Sequence, residues 1–137
     1  MDITLTPANV LPSDGSAGTL IGRAWVPGNP AGPSVVLVSG TELKDLSKSF
    51  ATMSAVLAEK DPTAAVRAAA AQAPSLGSLA ACLANTPTGK RDPQKPYLLA
   101  PTDLQAIKAC GVTFAASMLE RVIEERAKGD PTAAEGI

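Results

Sequence analysis

The stretch "GTLIGRAWVPGNPAGPSVVLVSGTELKDLS", residues 18–47, decides the fold. Its first third sets β-branched and aromatic residues between Gly18 and Gly28, and its middle is the apolar run Val35–Val38 between Pro33 and Gly40. Both patterns read as strands, because β-branched side chains pack well on a pleated surface and glycine and proline punctuate its ends. "PGNPAG" between them is a Pro/Gly loop, and the spacing of Leu43 and Leu46 gives a third, weaker strand. Residues 18–47 therefore predict a small antiparallel sheet.

Beyond Thr52 the period lengthens. Met53, Val56 and Leu57 stand at i, i+3 and i+4, the spacing of one helix face. Asp61-Pro62 then reads as an N-cap followed by proline at the first helical position, opening a second helix that Pro74 stops. Leu76, Leu79, Ala80 and Leu83 predict a third, ending at Asn85. "TPTGKRDPQKP", residues 86–96, reads as a solvated loop or linker. "YLLAP" after it is a brief strand, and "LQAIKACGVTF", residues 104–114, alternates like another. The last element is "SMLERVIEERAKG": Met118, Leu119, Val122 and Ile123 share a helix face, Glu124 and Lys128 form an i, i+4 pair, and Gly129 suits the helix end. The fold class is α+β, with one domain at 1–96 and a second region at 97–137.

Composition narrows the function classes. With 45% hydrophobic residues, 18% charged residues and a net charge of −1, the chain reads as a soluble globular protein with no footprint for nucleic acid or a membrane surface. The start, "MDITLTPANVLPSDG", lacks the basic and apolar regions of a signal peptide, so a cytoplasmic location is expected. Cys82 and Cys110 match no metal or redox spacing and read as buried free thiols. There is no histidine, which removes the commonest general base and transition-metal ligand. Any chemistry falls to carboxylates, lysines and hydroxyls, and any metal to a hard cation such as magnesium or calcium.

Phosphate-binding motifs fail. "NTPTGKRD" lacks the first glycine of a P-loop and has Arg91 where Ser or Thr would hold magnesium, and "GSAGTLIG" lacks the G-x-G-x-x-G spacing. Lys90, Arg91 and Lys95 could touch an anion, although cations in a Pro-rich loop usually only solvate it. "GVTFAASMLE" supports two readings. Ser117-x-x-Glu120 fits a capping box, and a carboxylate at a helix start after a strand is also where active-site bases are mounted.

"LLAPTDLQAIKACGVTFAASMLERVIEERAKGDPTAAE", with "LPSDGSAGTLIGRAWVPG" and "LGSLAACLANT", resembles the amino-terminal portion of bacterial proteins in the fumarylacetoacetate hydrolase family, in a branch that includes sugar-acid dehydratase-like members. The resemblance implies a small amino-terminal domain leading into a mixed β-roll catalytic domain whose start is residues 97–137. It implies a magnesium-dependent hydrolase or lyase, often a homodimer, that cleaves, decarboxylates or dehydrates a 2-oxo acid or 1,3-diketone. The metal-binding acids of the family lie downstream of the matching segment, so no metal ligand is expected in this chain. The family's "GLNY…H-x-x-E" pattern falls on Gly111, Val112, Thr113, Phe114, Ser117 and Glu120. Glu120 matches and Ser117 replaces the histidine, which turns the expectation from a His-activated water toward dehydration, with Glu120 as acid/base and Ser117 orienting it or a water. "DPTAA" recurs at 61–65 and 130–134, and the second copy opens a helix with three residues left. The chain is accordingly expected to be the front of a longer protein and inactive alone. The competing expectation is a non-catalytic module for dimerisation or for covering an active site.

Overall fold

The computed structural model describes residues 4–15, 17–109 and 114–128. It forms two compact units, residues 1–105 and 106–137.

The first unit is an α+β fold around a five-stranded, wholly antiparallel sheet of order β4-β3-β2-β1-β5. Strands β1 (Ile21–Val26), β2 (Gly32–Ser39) and β3 (Glu42–Asp45) are those the sequence predicts. In β2 the residues Ser34 to Leu37 are all buried, which a half-covered sheet does not allow. Alternation explains it: Val35 and Leu37 face a core with Leu46, Phe50, Met53, Val56 and Val66, while Val36 faces another with Ala24, Leu43, Leu79, Cys82 and Leu83. Helices α2 (Met53–Leu57) and α3 (Pro62–Ala70) cover the first face. Helix α4 (Leu79–Ala84) covers the second, with α1 (Pro7–Val10) against it.

Side-chain caps start both helices of the first face, the one at Asp61 as the sequence predicts. Thr52 Oγ1 accepts from the Ala55 amide at 3.0 Å and Asp61 Oδ1 from the Ala64 amide at 3.0 Å, with Pro62 opening α3. The places of Leu76, of residues 104–109 and of the domain boundary need correction. Leu76 does not belong to a helix: Ser75–Ser78 is strand β4, paired with β3. Gly77 there has φ +97°, outside the right-handed helical region, and the Ser78 hydroxyl caps α4, so the helix begins at Leu79. Residues 104–109 form no strand, and Leu104 and Ile107 are exposed. Alternation does not make a strand without a partner edge. The "YLLAP" strand, β5 (Tyr97–Leu99), pairs with β1 and so lies inside the first unit. The division therefore falls between Gln105 and Ala106 and not at 96/97.

Residues 86–96 are not a linker but a tied loop containing a 3-10 turn, Thr88–Lys90. Asn85 organises it: Nδ2 donates to the carbonyls of Asp92 (2.9 Å), Lys95 (3.1 Å) and Pro96 (3.1 Å), and Oδ1 accepts from the Asp92 amide (2.7 Å). Asn85→Ala leaves these partly buried groups without partners and is expected to cost roughly 1–3 kcal/mol in urea unfolding followed by fluorescence of Trp25, the chain's one tryptophan. A loss within experimental error would show that the loop holds itself without Asn85.

The second unit contains α5 (Ala115–Ala127), with Phe114 extended at its N-cap and Lys128 in the left-handed conformation at its end. Gly129, the expected terminator, lies outside the described residues. None of the described helices is long and apolar enough to cross a membrane.

Candidate functional site

Two polar clusters and one helix face in the described residues hold side chains capable of chemistry. Arg23 is a lone cation in an apolar strand, on the same face of β1 as Trp25. Its Nη1 donates to the carbonyls of Ala100 (3.2 Å) and Thr102 (2.7 Å), and its Nε lies 3.6 Å from Asp103 Oδ2. The Asp103 side chain is 8% exposed and takes hydrogen bonds from the amides of Met53, Ser54 and Leu104 and from Ser54 Oγ (3.0 Å). Burial raises its pKa, but the donors at Leu104, Met53 and Ser54 outweigh burial and lower it from 3.8 to about 2. A group ionised throughout the neutral range is a clamp, not a proton shuttle: it joins the segment after β5 to the first turn of α2.

Because the folded pKa lies below the ordinary one, Asp103 contributes stability that is full above about pH 3.8 and is lost as the pH falls toward 2. Asp103→Asn is expected to be less stable than wild type at pH 7, with the gap closing across that window. Urea midpoints at several pH values check this, and a pH-independent gap would assign the loss to something other than the charge.

The second cluster is a stack. Trp25 on β1 and its register partner Tyr97 on β5 have ring centroids 6.3 Å apart at 15°, and the Arg91 guanidinium lies 4.1 Å over Tyr97. Arg91 Nε donates to the Thr86 carbonyl at 3.1 Å, and Nη2 donates to the same oxygen. Lys95 pairs with Asp92 at 3.3 Å. Two of the three cations offered for anion contact are therefore committed to holding this loop.

Cys82 is buried and free, and burial pushes its thiol up to about 11. It is an inert core residue, as the sequence reads. Cys110 lies outside the described residues.

Ser117 and Glu120 both lie on α5, three residues apart and exposed. The capping-box reading needs Ser117 at the N-cap, but the helix starts two residues earlier, after Phe114. Ala115 and Ala116, the best helix formers, extend it past the serine. Ser117 is thus the third helical residue, and Glu120 cannot reach back to an N-cap amide. Gly111, Val112 and Thr113 lie outside the described residues. Phe114, Met118, Leu119 and Val122 are 72%, 56%, 61% and 40% exposed, and Ile123 is half-buried.

Among the described residues no three His, Cys, Asp or Glu side chains converge on one point. The Arg23–Asp103–Ser54 cluster escapes sequence reading because its members are scattered along the chain. Its one sequence signal is an arginine inside a strand otherwise built of apolar residues. No protein-family model, curated protein or solved structure matches this chain.

Proposed function

We propose that this chain is the amino-terminal part of a divalent-cation-dependent enzyme of the fumarylacetoacetate hydrolase type, cytoplasmic, acting on a 2-oxo acid or 1,3-diketone. In this reading residues 1–105 are a non-catalytic domain, and α5 leads into a β-roll catalytic region that holds the magnesium. Glu120 is its proton-transfer group, and Ser117, in the family's histidine position, favours dehydration over hydrolysis. The observation that carries the reading is the position of Glu120. It stands exposed one turn from Ser117 on a helix that begins too early for either to cap it, in the segment that carries the family resemblance. A carboxylate without a capping duty is free to move protons.

The test is proton exchange in D2O, followed by NMR, at the carbon next to the keto group of a 2-oxo acid series, with the full-length gene product and magnesium. Exchange or conversion of at least one acid is the expected result, since each family reaction passes charge through that carbon. A full series left unexchanged and unconverted would overturn the reading.

The exposed Phe114, Met118, Leu119 and Val122 favour a second role, assembly, because contiguous apolar surface drives association. A homodimer buried through this face is expected in sedimentation. Met118→Glu should shift it to monomer, and a wild-type monomer at tens of micromolar would remove this role.

A further inference from the structure

On the α2/α3 side of the sheet, a groove of about 260 Å³ lies between the segment ending at Thr19, the β2–β3 turn and Arg67 of α3. Arg67 is not needed at its own helix end. The α3 carbonyl of Ala70 is already met by Lys44 Nζ at 3.4 Å. Instead Arg67 Nε donates to Thr19 Oγ1 at 3.3 Å, a contact spanning 48 residues of sequence between two residues that line the groove. Its two Nη groups meet no protein acceptor and no carboxylate among the described residues. Thr19 accepts that bond and keeps its own proton to donate, and the hydroxyl of Ser39, which also lines the groove, bonds no protein group among the described residues. Gly18 and Gly40 keep the rim open, and no acidic side chain lines the groove. The result is a set of unspent donors with one fixed positive charge.

We propose that this groove binds a small oxyanion, a carboxylate or phosphate, gripped by the Arg67 fork and the Thr19 and Ser39 hydroxyls. The paired Nη donors match the two oxygens of either group, and charge-assisted bonds of this geometry are the strong ones. The volume has room for an anion of a few heavy atoms. The site belongs to residues 1–105 and does not rest on the catalytic reading.

The test is an NMR titration of the 137-residue chain with sodium pyruvate and, separately, sodium phosphate, against chloride at matched ionic strength. Saturable shifts at Thr19, Ser39, Gly40 and the Arg67 Nε–H, in the millimolar range, are expected from at least one of the two. Saturation by pyruvate assigns a carboxylate, and by phosphate alone a phosphate. Arg67→Ala should weaken binding at least tenfold and Arg67→Lys by less. Alanine suits an exposed helix position, so the variant's amide spectrum should stay folded. Thr19→Val gives a second, independent loss. No saturable shift from either anion, equal shifts from chloride, or unchanged affinity in Arg67→Ala would overturn the proposal.

Discussion

Glu120→Gln in the full-length gene product is expected to slow turnover of a 2-oxo acid by roughly two to four orders of magnitude, the usual worth of a positioned general acid or base. The substitution keeps the side chain's shape and replaces the proton-accepting carboxylate with a neutral amide. It should leave the fold alone, because Glu120 is exposed on α5 and surface changes on a helix usually stay within about 0.5 kcal/mol. The helix start makes the experiment decisive. Had α5 begun at Ser117, Glu120 would also have reached back to the N-cap amide, and a loss on substitution would have two explanations. With the N-cap at Phe114 the second is gone. Ser117→Ala should cost less, since the serine orients and does not transfer the proton. Near-normal turnover by a folded Glu120→Gln enzyme would remove Glu120 from the chemistry.

Leu83→Ala is expected to destabilise the first unit by about 2–5 kcal/mol, the cost of a lost side chain plus the cavity it leaves. Leu83 is fully buried on α4, in the core it shares with Ala24, Val36, Leu43, Leu79 and Cys82. Alanine is the better helix former, so the backbone does not contribute to the loss. Trp25 lies in the same unit and reports its unfolding. The urea midpoint should fall with an unchanged m value. A loss below about 1 kcal/mol would mean that the α4 side of the sheet repacks, and that the two-faced core is looser than the burial of β2 implies.

What the sequence discloses is what neighbouring residues decide. The strands of residues 18–47 follow from β-branched runs between glycines, α2 from the spacing of Met53, Val56 and Leu57, and α3 from a cap that bonds three residues ahead. The face assignment of β2 was less legible, because a run buried on both sides looks the same whichever helices cover it. Strand β4 hides because four residues around Gly77 carry no period, and Leu76 also satisfies the helical spacing that continues through Leu79 and Leu83. The loop at 86–96 looks solvated because its order comes from one side chain, Asn85, bonding carbonyls up to eleven residues away. Asp103 is the extreme case: its donors at Met53 and Ser54 lie about fifty residues back, and no local pattern marks it. At the candidate site the residue types were legible, while the helix boundary that frees Glu120 from capping was not. Two alanines moved it.

The enzyme proposed for this chain is magnesium-dependent and acts on a 2-oxo acid or diketone. The most direct test is the rate of substrate loss by the purified full-length gene product, measured before chelation, after chelation and after magnesium is restored. The expected result is turnover of at least one such substrate that chelation abolishes and magnesium returns. No turnover of any of them with magnesium present, or a rate indifferent to chelation, would contradict it.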